Sequence, residues 1–129
     1  MSEKFTIEII SPESTILKNE ANEVIIPSYE GEMGILKDHI SLITFLRPGF
    51  IIVKSENVKK FFVEEGTVEF ANNILLILTS TAKDTSNINK RTIESLISES
   101  EKKLDENEIS DKERYLLSYK LESLKNINQ

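Results

Sequence analysis

Every glycine and every proline of this 129-residue chain lies before residue 67. Gly31, Gly34, Gly49 and Gly66, with Pro12, Pro27 and Pro48, punctuate that part as short strands and turns are punctuated. From Thr85 onward there is neither residue type. The chain therefore has two successive folding problems to solve, one built on turns and one without them.

The apolar periodicity changes at the same place. Phe5, Ile7 and Ile9 alternate with Lys4, Thr6 and Glu8, the period-two pattern of a half-buried strand. Further strand-like runs are Val24 to Ile26, Leu42 to Leu46, Phe50 to Val53, Lys60 to Val63, Thr67 to Phe70 and Ile74 to Leu78. They are β-branched or aromatic and closely spaced, which predicts an antiparallel sandwich or flattened barrel. Asn72-Asn73 can supply the positive φ of a tight hairpin. Pro12 and Pro27 are expected to close their strands, having no N–H for the ladder.

Beyond Thr85 the spacing is helical. Ile93, Leu96, Ile97 and Leu104 form one stripe on a helix from about Ile88 to Asp105. Residues 105–108 read as a turn, and Ser110-Asp111-Lys112-Glu113 has the form of a capping box. Leu117, Leu121 and Leu124, broadened by Tyr115, Leu116 and Tyr119, supply a second stripe. The expected class is α+β: an N-terminal antiparallel β-sandwich over 1–84, then an antiparallel two-helix hairpin over 85–129. The stripes are narrow and diluted by serines, so the hairpin should lean on the sandwich or on a partner.

Composition removes several function classes. Hydrophobic residues make up 39% and charged residues 29%, the mixture of a folded globular chain. No apolar run is long enough to span a bilayer, and no secretory signal pattern opens the chain. The net charge of −6 opposes binding to a phosphate backbone, so no nucleic-acid partner is expected. The first 84 residues hold 8 basic and 13 acidic side chains, the rest 8 and 9. With no cysteine there is no disulfide, thiolate metal site or Cys nucleophile.

His39 is the one histidine and the one obvious base near neutral pH. Asp38 beside it is poorly placed to orient it, because neighbours on an extended chain point apart. Glu64-Glu65 and Glu30/Glu32 lack the further oxygen ligands that a cation requires, so no metal is expected. There is no P-loop, G-x-G-x-x-G or G-x-S-x-G. Nothing here composes an active site. The segment Tyr29 to His39 stands out instead, with two glycines three apart, flanking acids, and Met33, Ile35 and Leu36 crowded beside charges. It reads as a tight excursion between strands, either a plain glycine turn or a docking surface.

Ile9-Ile10-Ser11-Pro12-Glu13, Val24-Ile25-Ile26-Pro27, Gly31-Glu32-Met33-Gly34-Ile35-Leu36 with His39, and Leu42-Ile43-Thr44 to Leu46-Arg47-Pro48-Gly49 occur in a specific order and spacing. Together they resemble the epsilon subunit of F-type ATP synthases (delta in mitochondrial naming), and the two-part layout matches that family. The resemblance implies a non-catalytic subunit of the central rotor stalk, without cofactor, coupling the gamma subunit to the c ring in ATP synthesis driven by protons or sodium ions. It places the chain peripherally on the cytoplasmic face of a bacterial inner membrane, reaching the membrane only through the complex. Carried over by position, Gly31, Glu32, Met33, Gly34, Ile35 and His39 form the docking loop, with Glu32 the acid that approaches the c ring. In the family the hairpin can also extend into the alpha/beta catalytic head and block ATP hydrolysis. Lys112, Arg114, Lys120 and Lys125 are the residues placed to make that contact, although a solvated helix face accounts for them equally. A free-standing adaptor of sandwich plus hairpin is the alternative reading.

The chain departs from the family at several positions. Lys37-Asp38 replaces the usual Pro-Gly before the histidine, and Glu65-Gly66 replaces a Gly-Gly pair. The hairpin is rich in Ser, Ile, Asn and Lys rather than Ala and Arg. The Ile-Asp-x-x-Arg-Ala motif by which some members bind ATP is not matched, since Asn87, Ile88 and Thr92 surround Arg91.

Overall fold

A computed structural model describes residues 3–106 and 108–127. Among them are β1 (Phe5–Ile10), β2 (Thr15–Ala21), β3 (Glu23–Ser28), β4 (Gly31–Leu36), β5 (Leu42–Leu46), β6 (Gly49–Lys54), β7 (Val58–Val63), β8 (Gly66–Ala71), β9 (Ile74–Leu78) and β10 (Lys83–Asp84). Two helices follow, α1 (Lys90–Leu104) and α2 (Asp111–Asn126). The expected α+β order of strands, then a helical pair, is what the structure has. Of the expected turn at 105–108, Asn107 lies outside the described residues.

The strands form one ladder, β10-β7-β6-β3-β5-β8-β9-β1-β2, with β4 on the free side of β3. All pairings are antiparallel except β1 with β9. The ladder folds over between β3 and β5, which share only the pair Ser28–Leu46. One layer is then β10-β7-β6-β3-β4 and the other β5-β8-β9-β1-β2. Their inward residues, among them Ile7, Ile9, Ile26, Ile35, Ile51, Phe70 and Leu75, make a single apolar core.

Three features differ from the expectations. Pro27 does not end its strand but sits inside β3. Its neighbour on the β4 side is Glu32, and its carbonyl accepts from the Arg47 N–H at 2.9 Å on the other side. That is where β3 changes partner from β6 to β5, so no ladder bond is missed. The second difference is β2, whose Lys18, Asn19 and Glu20 are exposed and conceal its strand character. Such a polar edge resists pairing with another chain. The third is β4, discussed below.

The glycines matter where backbones close in. A Cβ on Gly49 would lie 2.6 Å from Pro27 Cβ, and one on Gly66 would lie 2.8 Å from the Leu78 carbonyl oxygen. A Cβ on Gly34 would meet only the Glu23 carboxylate, at 3.2 Å. Asn72 and Asn73 take φ of 52° and 59°, as the two-residue β8–β9 hairpin requires. Gly49→Ala is expected to destabilise the fold by about 1–3 kcal/mol, whereas Gly34→Ala should stay within about 0.5 kcal/mol of the parent. Urea midpoints measured side by side check the contrast.

Candidate functional site: an apolar sheet face and a hairpin seam

The segment expected to be a docking loop is a strand. Gly31 to Leu36 pair residue by residue with Ser28 to Glu23, closed by the two-residue turn Tyr29-Glu30. Only Gly31 uses a positive φ, 121°. Gly34 was expected to serve a turn, yet it sits in the middle of β4. Alternation then separates the candidate residues. Ile35 is fully buried in the core, and Met33 packs against that core. Glu32 and Leu36 face outward. His39 lies beyond the far end of β4, about 20 Å along the strand from Gly31 at the usual rise. The structure therefore does not bring these six residues together as one exposed loop.

His39 is a turn residue. Its ring meets Phe70 edge-on at 6.0 Å, and Nδ1 lies 2.7 Å from the Ile40 carbonyl oxygen, which can only accept. Asp38 turns away from it toward Asn73. The Asp38 N–H donates to Asn73 Oδ1 at 2.7 Å, and Asn73 Nδ2 donates back to Asp38 Oδ1 at 3.0 Å. Asp38 holds φ at 66°, a left-handed conformation that aspartate tolerates better than most side chains. No nucleophile or base is gathered here. No group of three or more potential metal ligands occurs among the described residues.

Two other surfaces carry more information. The first is the outer face of the β5-β8-β9-β1-β2 layer. Phe45, Thr67, Leu78 and Ile10 stand in one row across four strands, and Ile43, Glu69 and Leu76 in the next. Ile43 is 75% exposed, Phe45 57% and Leu78 47%. This face runs into a groove of about 850 Å³ whose walls include Pro12, Leu46, Thr79 and, from α2, Lys112. Large apolar side chains clustered on an exposed sheet mark an interaction surface.

The second is the seam between the hairpin and the other layer. Ser110 caps α2 by accepting from the Glu113 N–H at 3.1 Å, with the Glu113 carboxylate near the Ser110 N–H at 3.5 Å. Asn89 caps α1. Ile93, Leu121 and Leu124 are the helices' buried apolar side chains among the described residues, with Ser100 and Ser123 between them. Phe62 points out of the sandwich core yet is fully buried, so the hairpin lies over it. Along α2, Tyr115 stacks on Tyr29 at 6.4 Å, Arg47 sits 3.8 Å over the Tyr119 ring, and Lys120 pairs with Glu64 at 2.7 Å. Partial desolvation, and after it contact with Tyr119, pushes the Tyr115 phenol above its ordinary pKa. Of the four cations assigned to the catalytic head, Lys120 is thus occupied. Arg114 lies 3.3 Å from the Leu104 carbonyl, while Lys112 and Lys125 are exposed.

Comparison with known proteins identifies the family. A family model described as the beta-sandwich domain of the ATP synthase delta/epsilon chain matches residues 4–85. The chain belongs to the ATP synthase delta/epsilon family. The ATP synthase epsilon chain of Pelagibacter ubique (strain HTCC1062) is 45% identical over 130 residues, covering 99% of this chain and all of that one. In fold, the chain matches a subunit in the OSCP/F1/c-ring structure of the Euglena gracilis mitochondrial ATP synthase. The TM-score is 0.76 at 19% identity, covering 97% of this chain and 79% of that one. A subunit of the Tetrahymena thermophila central stalk/c-ring structure gives 0.66 at 15% identity, covering 98% and 96%. Among the described residues no helix is long and apolar enough to cross a membrane.

The apolar face was not singled out from the sequence, though a signal for it exists. Leu42-Ile43 with Phe45-Leu46, and the unbroken run Ile74 to Leu78, carry apolar residues on both strand faces. One face of each fills the core, so the other is surplus. Tyr29 and Arg47 were read as parts of the glycine-bearing segment and of the family resemblance, and nothing local marked their contacts with α2, far away in sequence.

Alternation within β4 yields a direct test. Ile35→Ala should cost about 2–5 kcal/mol by leaving a core cavity. Glu32→Lys, on the exposed face, should shift stability by no more than about 0.5 kcal/mol. Equal losses in thermal melts would contradict this division of the segment.

Proposed function

We propose that this epsilon-family chain is a non-catalytic central-stalk subunit that joins the gamma subunit to the c ring of an ATP synthase at the membrane surface. The observation that carries the reading is the exposed apolar row through Phe45 and Leu78 on a closed, tightly packed sandwich. A body that transmits torque has to resist shear, and a packed β core does so. It also needs broad apolar contact with the shaft, and this face offers one. Glu32, outward on β4, supplies the negative charge for the polar loops of the ring. His39 and Ile35 serve the fold instead, one in a turn and the other in the core. The hairpin is the part that regulates, restraining ATP hydrolysis when it leaves the sandwich for the catalytic head.

The assembly is tested by isolating the complex from detergent-solubilised membranes. The parent chain should co-purify with gamma and the other head subunits. Ile43→Asp with Phe45→Asp should lose that association while leaving the isolated chain folded. Retention of the double variant in the complex would remove the apolar face from the shaft interface. Recovery with unrelated soluble proteins would favour the adaptor reading. A chain ending at Thr85, the last residue bonded to β7, should stay folded and raise membrane ATPase activity. Unchanged activity would reject the inhibitory role.

A further inference from the structure

The hairpin is tied to the sandwich at few places, and their chemistry is unlike that of a core. Thr85 is the last residue bonded to β7, its N–H donating to the Lys60 carbonyl at 3.0 Å, and the Asn87 N–H closes a turn on the Asp84 carbonyl at 3.1 Å. Asn89 already caps α1, which leaves residues 86–88 as the joint. Past that joint, three contacts spaced along one side of α2 reach three separate strand ends. Tyr115 stacks on Tyr29 in the β3–β4 turn, and its hydroxyl donates to the Tyr29 carbonyl at 3.4 Å. Tyr119 lies under the Arg47 guanidinium, between β5 and β6. Lys120 meets Glu64 just past β7. That ion pair is shorter and more shielded than the other two among the described residues, with side-chain exposures of 17% and 27%.

We infer that Tyr29, Arg47 and Glu64 form a latch that holds α2 in the folded position, and that Lys120 acts as its releasable pin. Lys120 cannot serve Glu64 and an acidic surface elsewhere at the same time, so folding back and engaging a distant partner exclude one another through this residue. A second consequence involves Glu32. It lines a small pocket of about 280 Å³ together with Arg47, Tyr119 and Glu122. A cationic group brought to Glu32 would crowd Arg47 in that pocket and loosen its hold on Tyr119. The latch is thereby exposed to whatever docks at β4. The latch concerns the chain by itself, whereas its use in the assembly rests on the function proposed above.

The chain has no cysteine, so introduced thiols are unique labels. Nitroxides at Lys59→Cys on β7 and Glu99→Cys on α1, both exposed, report the hairpin's position in the full-length protein by electron–electron distance measurement. The parent should give one main distance. Glu64→Lys should enlarge the displaced population about fivefold, the effect of losing an ion pair worth roughly 1 kcal/mol. The double reversal Glu64→Lys with Lys120→Glu should restore the parent distribution, which a general loosening of the fold would not do. Arg47→Met should act in the same direction as Glu64→Lys. A distribution unmoved by Glu64→Lys and Arg47→Met, or one not restored by the double reversal, overturns the latch. Neither result touches membership of the complex, which the co-purification decides separately.

Discussion

The whole sandwich turns on β3. This strand is paired with β4 along its entire length on one edge, and on the other it hands over from β6 to β5 within a few residues. The handover is the place where one ladder becomes two layers. Pro27 makes it free of cost, because a residue without an N–H leaves no donor stranded at the gap. Ser28, next to it, is fully buried and settles its hydroxyl on the Gly31 carbonyl at 2.6 Å. Gly49 lets β6 close on Pro27 where no side chain would fit. Proline, serine and glycine thus do at one corner what a long connecting loop would otherwise do. The corner also fixes Arg47, whose N–H is bound to the Pro27 carbonyl, and so fixes the sandwich side of the hairpin contact.

The sequence was readable where one periodicity ruled and misleading where two demands overlapped. Strands β1, β3 and β5 to β9 announced themselves by apolar alternation or apolar runs, and Ser110 with Glu113 marked the start of α2. β4 was hidden because Gly31 and Gly34 look like turn residues, although Gly34 lies flat in the sheet and only Gly31 turns. β2 was hidden because an edge strand need bury only Leu17 and Ala21. The family resemblance rested on the same glycine-bearing segment, so it identified the chain correctly while misjudging the segment's shape. A motif can remain legible after its assumed geometry fails, because identity depends on residue order and geometry on pairing partners. Departures from the family read the same way. Asp38, where the family resemblance leads one to expect glycine, takes a left-handed φ of 66°, and Asn73 bonds it on both sides.

The two halves differ in how their stability is built. Inward residues of nine strands share one core, so no strand can leave without opening a cavity. The helices, 15 and 16 residues long, bury only Ile93, Leu121 and Leu124 among their described apolar side chains. Their remaining hold on the sandwich includes aromatic stacking, a hydrogen bond, a cation over a ring and one ion pair, each worth about 1 kcal/mol or less at exposed sites. Local opening draws on the weakest unit first, and here that unit is the hairpin.

Release nonetheless has a cost that charge alone cannot meet. Phe62 is fully buried under the hairpin and lies outside the sandwich core, so lifting the helices returns it to water. That exposure is unfavourable by about 1.5–3 kcal/mol before any latch contact is counted. The cations of α2 exceed its acids by only one between residues 111 and 125, four against three. A screened attraction of that size does not outweigh a buried phenylalanine together with three latch contacts. Any partner that holds the raised hairpin must therefore offer apolar surface as well as negative charge, because a ligand shifts such an equilibrium only by its difference in affinity for the two states.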